Sequence, residues 1–249
     1  MEIQVSESAG VRYLHFGSNW VQGAMRVARP WALELDYTRA MMAALLLRPA
    51  ADWPRSVLLI GLGAASLTKF LYRHRPTAKL TVVEIEPAVV AVARQNFKLP
   101  EEDERLRIVI GDGAEFVAAS QQRFDLILVD GFDENARTGM LDTLPFYLNC
   151  KARLSSSGLM ATNLLSKRRG VRDALARINE AFADRAIALP SCDSGNVIAF
   201  ATSGAPTLFR IGELKTATRR LKEETGLNLQ PTLSCLEQSN HCPAGKLHF

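Results

Sequence analysis

Acidic side chains stand at the ends of several apolar runs in this 249-residue chain. Glu84 ends the run LTVVE, Asp112 follows RIVIG, and Asp130 ends FDLILVD. The carboxyl ends of parallel strands meet at one edge of a sheet, where open α/β proteins bind ligands. There Glu84 can accept hydrogen bonds from both ribose hydroxyls, and Asp112 from an adenine amino group. An exposed strand-end Glu and an ordinary Asp-Gly turn are the alternatives. Together these residues predict a nucleoside site.

A glycine loop precedes these acids. Residues 61–66 read GLGAAS, so Gly61 and Gly63 let the backbone pass close to a ligand at the start of a helix. Many strand-to-helix turns carry two glycines without binding anything, which is the alternative for the loop taken alone. Ser66 stands where a GxGxxG motif has its third glycine, which favours an S-adenosyl cofactor over NAD.

Two carboxylates, Asp130 and Asp133, follow the next apolar run in LILVDGFDENARTG. Such a pair beside a cofactor can hold a cationic amine and take its proton, which must leave before nitrogen attacks a sulfonium carbon. Local hydrogen bonds of a turn are the alternative explanation of an isolated DxxD pattern. The spacing therefore indicates either amine chemistry or a turn.

Apolar runs alternate with amphipathic stretches from Ser56 onward. This alternation predicts a parallel sheet. The last two runs are joined by Cys192, Asp193, Ser194 and Gly195, which predicts an antiparallel hairpin. The predicted strands are Val57–Gly61, Leu80–Ile85, Arg107–Ile110, Phe124–Asp130, Gly158–Leu164, Ala186–Leu189 and Val197–Thr202. We expect an α/β fold with a class I methyltransferase-like (Rossmann-like) seven-stranded sheet, parallel except for the C-terminal hairpin.

Short alternating runs before residue 50 predict a small N-terminal β appendage, followed by a leading helix over Leu33–Leu47. A surface helix is predicted over Thr207–Glu224 and a coil tail from Asn228. The expected division is residues 1–50 for the β region and leading helix, 51–205 for an S-adenosyl-binding catalytic domain, and 206–249 for the C-terminal helix and tail.

The order of motifs GLG, VVEIEP, GDG, LVDGFD and LPFYLNCKARLSSSGLMATNL resembles the polyamine aminopropyltransferases, the spermidine synthase family. The segments WVQGAMRV and LELDYTR resemble that family's N-terminal β domain and Tyr-bearing helix. The resemblance spans roughly residues 10–205. It implies transfer of an aminopropyl group from decarboxylated S-adenosylmethionine, as co-substrate, to a polyamine such as putrescine.

The resemblance also implies roles for individual residues. Asp130 matches the catalytic acid, Asp133 an amine-binding acid, and Tyr37 the tyrosine that orients and helps to deprotonate the nucleophile. The implied cofactor-binding residues are Gln22, Gly61, Gly63, Glu84, Asp112 and Gly113. Ala64 departs from the family, whose loop carries at this position an Asp that pairs with the aminopropyl ammonium. Ala64 keeps open an S-adenosylmethionine-dependent methyltransferase, and a non-catalytic member with a decayed site is a further alternative.

Composition indicates where the protein is located and which kinds of partner it lacks. The chain is 47% hydrophobic and carries a net charge of +4. Its opening segment has neither the basic start nor the apolar run typical of a signal peptide, and no window approaches the length of apolar sequence that a membrane span needs. We therefore expect a cytoplasmic enzyme with a small-molecule amine substrate and no membrane partner. The basic runs 167–169 and 215–222 are expected to be solvated faces, so no nucleic-acid partner is predicted.

Four scattered cysteines and His241 match no structural zinc spacing, so reduced thiols and no metal are expected. The β appendage and the apolar helix behind it suggest a homodimer.

Overall fold

A computed structural model of the chain describes residues 2–17, 20–133, 137–165, 170–190, 195–205, 207–238, 242 and 245–249. Three features discussed above lie outside these residues: the basic run 167–169, the turn residues 192–194 and His241. Among the described residues, no helix is long and apolar enough to cross a bilayer.

Strands and helices alternate through the centre of the chain. In order, the elements are β1 (Ile3–Ser8), β2 (Val11–Phe16), β3 (Val21–Arg26), α1 (Asp36–Met41), α2 (Ala44–Leu47), β4 (Ser56–Ile60), α3 (Ser66–His74), β5 (Lys79–Glu84), α4 (Pro87–Asn96), β6 (Leu106–Ile110), α5 (Gly113–Ala119), β7 (Phe124–Val129), a 3₁₀ helix (Gly139–Asp142), α6 (Leu144–Arg153), β8 (Leu154–Leu165), α7 (Val171–Phe182), β9 (Ala186–Pro190), β10 (Asn196–Thr202), β11 (Leu208–Arg210), α8 (Ile211–Thr225), α9 (Gln230–Gln238) and β12 (Lys246–His248).

The central sheet has seven strands in the order β6-β5-β4-β7-β8-β10-β9. The pairs β4–β5, β5–β6, β4–β7 and β7–β8 are parallel, whereas β10 runs antiparallel to both β8 and β9. The predicted fold class is therefore confirmed, including the C-terminal hairpin. The three-stranded antiparallel sheet β1-β2-β3 is the predicted N-terminal appendage.

Alternation along β4 divides the core between the two faces of the central sheet. Val57 and Leu59 contribute to one apolar cluster, while Leu58 and Ile60 contribute to the other. Neighbouring side chains of a strand point to opposite faces, so a strand covered on both sides is apolar throughout. Leu14 and Met25 of the N-terminal sheet belong to the same cluster as Leu59, which ties that sheet to the core.

The predicted helix over Leu33–Leu47 is wrong in its extent. It begins only at Asp36, and Met42 and Ala43 form a tight turn between α1 and α2. The Arg39 guanidinium donates to the backbone carbonyls of Leu33 and Glu34, which holds those residues outside the helix. These local contacts between the Arg39 side chain and the backbone override the helical pattern of residues 33–35.

The prediction of a coil tail from Asn228 is also wrong. Helix α9 buries Leu233 and Leu236, and β12 pairs with β11. Leu247 and Phe249 are buried as well, so the end of the chain folds back onto the core because its apolar side chains gain from burial. The three-part division at residues 50 and 205 stays a prediction.

Cys150 and Cys242 are free and buried. Cys235 is disulfide-bonded, so the expectation of reduced thiols is wrong for this residue. Spacing along the sequence does not reveal which cysteines the fold brings together.

Candidate functional site

A cavity of about 940 Å³ lies at the carboxyl edge of the parallel strands. Its wall includes Glu84 at the end of β5, Asp112 after β6, Asp130 after β7 and Asn163 near the end of β8. The three acids predicted from successive strand ends therefore line one cavity, as the parallel topology requires.

The glycine loop forms the floor beside β4. Gly61 has φ +91°, and a Cβ at this position would lie 2.3 Å from the Asp130 carbonyl oxygen. Only glycine fits both conditions. The loop leads into α3, whose first residues, Ser66, Leu67 and Thr68, also line the cavity. Gly61 thus brings the loop backbone against the strand end that carries Asp130.

Glu84 is 7% exposed, and its carboxylate is held by the backbone. One oxygen accepts from the Leu62 N–H at 2.8 Å and the other from the Glu86 N–H at 3.0 Å. Burial raises the pKa of Glu84, and these backbone hydrogen bonds oppose the rise. Each carboxylate oxygen can accept a second hydrogen bond, so the group can still receive the hydroxyls of a ribose.

Asp112 is the N-cap of α5. Its Oδ1 accepts from the backbone N–H groups of Ala114 at 2.7 Å and Glu115 at 3.0 Å. Asp112 and the buried Gly113 also line the cavity. The local role and the ligand role of Asp112 are therefore compatible, since only Oδ1 serves the helix.

Asp130 is hydrogen-bonded to two other residues that line the cavity. Its Oδ1 accepts from Asn163 Nδ2 at 2.8 Å, and a side-chain hydrogen bond joins its carboxylate to Tyr37 of α1. Burial raises the pKa of Asp130, while Asn163 and Tyr37 act in the opposite direction. The pKa of Tyr37 is raised well above its ordinary value by burial and then by the Asp130 charge. Tyr37 is therefore a neutral hydrogen-bond donor to Asp130.

Two buried asparagines behind Asp130 escaped the sequence prediction. Asn163 is held in turn by Asn196 of β10, whose Nδ2 donates to Asn163 Oδ1 at 2.8 Å. An amide inside the apolar run GLMATNLL was an available signal, because buried polar side chains need partners. The sequence does not reveal that Asn196 is the partner of Asn163, since Asn196 lies on another strand.

Asp133 is exposed at the rim and forms a local turn. Its Oδ1 accepts from the Arg137 N–H at 2.7 Å, and its own N–H donates to the Arg137 carbonyl at 2.9 Å. Asp133 lines the same cavity as Asp130. The turn explanation thus accounts for part of its geometry, and the amine-binding role stays a prediction.

The N-terminal sheet closes the cavity over the glycine loop. Gln22 of β3 and Gly63 both line the cavity, and the Gln22 carbonyl lies 3.4 Å from where a Gly63 Cβ would be. Next to them, Gly23 packs on Ala64, which is only 3% exposed. The structure therefore brings together all the predicted site residues, including Tyr37 and Gln22 from outside the central sheet.

The spermine/spermidine synthase domain family matches residues 35–204. The chain belongs to this family. Polyamine aminopropyltransferase of Neisseria meningitidis serogroup A is 36% identical over 248 residues, which cover 100% of this chain and 93% of that protein. The enzyme of the same name from Chromobacterium violaceum is 37% identical over 246 residues, covering 99% and 93%.

Solved structures show the same fold. A probable spermidine synthase from Corynebacterium glutamicum has a TM-score of 0.72 at 22% identity, covering 88% of this chain and 83% of that one. Human methyltransferase-like protein 13, solved in complex with SAH, has a TM-score of 0.70 at 23% identity, covering 78% and 93%. Because the fold is shared with a methyltransferase, the fold alone does not select the transferred group.

Proposed function

We propose that the chain is an aminopropyltransferase that uses decarboxylated S-adenosylmethionine as donor and a small amine such as putrescine as acceptor. The single observation that carries the proposal is the half-buried Asp130, hydrogen-bonded to Tyr37 and lying beside the glycine loop. The full-length relatives named polyamine aminopropyltransferase support it.

The donor's nucleoside would lie over the glycine loop. Glu84 would bind its ribose, and Asp112, beside Gly113, its adenine. Gln22, Gly61 and Gly63 would complete this wall. These residues line the cavity, and the N-terminus of α3 faces the same space. No step of the proposal uses a metal, and the described residues contain no group of three His, Cys, Asp or Glu side chains suited to one.

The reaction needs a neutral amine. In the proposal, Asp133 holds the acceptor's distal ammonium, and Asp130 accepts a proton from the attacking nitrogen. That nitrogen forms a bond to the propyl carbon next to the sulfonium. The carbon–sulfur bond breaks, its electron pair goes to sulfur, and methylthioadenosine leaves as a neutral thioether. A base is more effective when its pKa lies near the working pH, and burial moves the pKa of Asp130 in that direction.

Ala64 supports methyl transfer from intact S-adenosylmethionine as a second candidate. No carboxylate at position 64 is present to pair with the ammonium of a decarboxylated donor. Intact S-adenosylmethionine carries its own carboxylate beside that ammonium, so it depends less on an acid from the protein.

Product analysis distinguishes aminopropyl transfer from methyl transfer. Purified protein is incubated with putrescine and either decarboxylated or intact donor, and the nucleoside product is identified by chromatography and mass spectrometry. We expect methylthioadenosine and the aminopropylated amine from the decarboxylated donor. S-adenosylhomocysteine from the intact donor alone would select the methyltransferase. Neither product, with the Asp130→Asn variant indistinguishable from wild type, would favour a decayed site.

The proposal extends to a homodimer located in the cytoplasm, without nucleic-acid or membrane partners. Exposed apolar side chains of the N-terminal segment, Val5, Trp20, Val21 and Val27, supply surface for self-association. Light scattering on the purified chain should give twice the mass of 27.4 kDa. A mass equal to that value would contradict the dimer.

A further inference from the structure

Two hydrogen bonds in series lie behind the Asp130 carboxylate. Asn196 Nδ2 donates to Asn163 Oδ1 at 2.8 Å, and Asn163 Nδ2 donates to Asp130 Oδ1 at 2.8 Å. Asn163 is 3% exposed and Asn196 is 7% exposed. Asn163 lies within the motif LPFYLNCKARLSSSGLMATNL, but the family resemblance assigned it no role, and Asn196 lies outside the quoted motifs. We call them the asparagine pair.

The Asp130 carboxylate, which accepts the second hydrogen bond, determines the direction of both. An ionised carboxylate can only accept hydrogen bonds, so Asn163 must turn its NH₂ group toward Asp130. Its amide oxygen then faces away and needs a donor, which Asn196 supplies. If the Asn163 amide were reversed, its oxygen would face the Asp130 carboxylate and its NH₂ would face the NH₂ of Asn196. Asn196 thus disfavours the wrong orientation of Asn163.

The strands keep this geometry rigid. Asn163 lies in β8 and Asn196 in β10, and the two strands pair with Asn196 opposite Leu165. Both strands lie in the interior of the central sheet rather than at its edges. The asparagine pair is therefore held by the sheet, while Asp130 stands at the start of a turn.

We propose that Asn163 and Asn196 are positioning residues for Asp130: Asn196 fixes the Asn163 amide, and Asn163 then holds the carboxylate in the orientation that meets the acceptor amine. The orientation of Asp130 toward the acceptor amine rests on the proposed aminopropyl transfer. The effect of the asparagine pair on the Asp130 carboxylate itself can be tested without any substrate.

The charge balance around Asp130 supports this role. Burial favours its protonated form and raises its pKa, whereas the hydrogen bond from Asn163 favours the ionised form. Tyr37, from α1, is the titratable side chain hydrogen-bonded to it. The other ionisable side chains that line the cavity are Glu34, Asp36, Glu84, Glu86, Asp112, Asp133 and Arg137. Removing the Asn163 amide donor should therefore raise the pKa of Asp130, because one of the hydrogen bonds that oppose the effect of burial is lost.

The test is a titration of Asp130 by ¹³C NMR of side-chain carboxyl groups, with the resonance assigned by its loss in Asp130→Asn. Asn163→Leu removes the donor at similar volume and should raise the Asp130 pKa by about one unit, a tenfold change in proton affinity. Asn196→Leu leaves Asn163 in place without its anchor and should raise the pKa in the same direction by less. Asn179→Leu on α7, away from the cavity, is the matched control and should change nothing.

An unchanged Asp130 pKa in both variants would overturn the proposal. If Asn163→Leu shows no cooperative unfolding transition, Asn196→Leu decides the question. In the transfer assay, both variants should lower kcat and move the acid limb of its pH profile upward, with little change in donor KM. A wild-type protein that makes no methylthioadenosine would refute the proposed function alone, because the NMR titration still reports on the asparagine pair.

Discussion

The backbone of Gly23 in β3 packs directly on the methyl group of Ala64 in the glycine loop. A Cβ built at Gly23 would lie 2.5 Å from the Ala64 Cβ and 2.9 Å from the Ala64 backbone nitrogen. Two small residues therefore let the N-terminal sheet approach the loop that would hold the donor. Ala64 is thus part of a close interface, which gives its small size a structural reason alongside the missing carboxylate.

Gly23→Ala should separate β3 from the loop. The added methyl group meets backbone atoms, which cannot rotate away, so we expect the free energy of unfolding to fall by about 1–3 kcal/mol. Binding of methylthioadenosine should weaken at the same time, because Gln22 and Gly63 belong to the same contact. Urea unfolding and calorimetry measure the two effects.

Gly212→Ala is the matched control for this substitution. A Cβ at Gly212 would meet nothing within 4 Å, and the residue lies in α8. We expect unchanged nucleoside binding and a stability equal to or slightly above that of wild type. Equal urea midpoints for Gly23→Ala and wild type would show that the sheet and loop tolerate more space than the geometry indicates.

Asp130→Asn should strongly slow aminopropyl transfer while preserving donor binding. The amide cannot accept the proton of the attacking amine, so kcat should fall by about 10²–10⁴-fold. Steady-state kinetics and a separate measurement of methylthioadenosine affinity distinguish the two effects. Asp173→Asn, at an exposed position in the first turn of α7, is the control and should retain full activity. A kcat for Asp130→Asn within threefold of wild type would be incompatible with a catalytic base at this position.

Tyr37→Phe should move the acid limb of the pH–rate profile to higher pH. The Tyr37 hydrogen bond favours ionised Asp130, so its loss raises the pKa of a group that must be deprotonated to act. Activity is lost as pH falls through that pKa, hence the limb should shift upward by up to about one unit. Tyr72→Phe removes a tyrosine hydroxyl that donates to Asp103 at 2.7 Å at a surface site. That control should leave the profile in place, and the same profile for all three proteins would contradict the assigned hydrogen bond.

The sequence predicted the parts of the fold that depend on local pattern. Buried runs such as LLI in β4 and the acids that follow the strands are visible because each strand end reaches the same sheet edge. Tyr37 and Gln22 came only through family resemblance, since neither lies on the central sheet. Pairing of the asparagines and the approach of Gly23 to Ala64 depend on residues distant in sequence, which local patterns do not encode.

The two errors have different origins. Arg39 holds residues 33 and 34 outside α1 by donating hydrogen bonds to their backbone carbonyls. The C-terminal segment gains order from strand β11, whose partner residues lie roughly 40 positions away. A local contact between a side chain and the backbone decides where α1 begins, whereas long-range strand pairing orders the C-terminal segment.

Glu84→Gln should weaken nucleoside binding without unfolding the chain. The Glu84 carboxylate accepts backbone N–H groups from Leu62 and Glu86; the amide keeps one accepting oxygen and turns NH₂ toward the other donor. The hydrogen bond that is lost joins a ribose hydroxyl to the charged Glu84 carboxylate. Such a loss costs about 1.5–3 kcal/mol, so the Kd for methylthioadenosine should rise roughly 10- to 100-fold. Glu102→Gln alters a carboxylate that accepts the Ile108 N–H at 2.8 Å outside the cavity, and its Kd should equal that of wild type. Calorimetry measures both, and equal Kd values for the two variants would remove Glu84 from the nucleoside site.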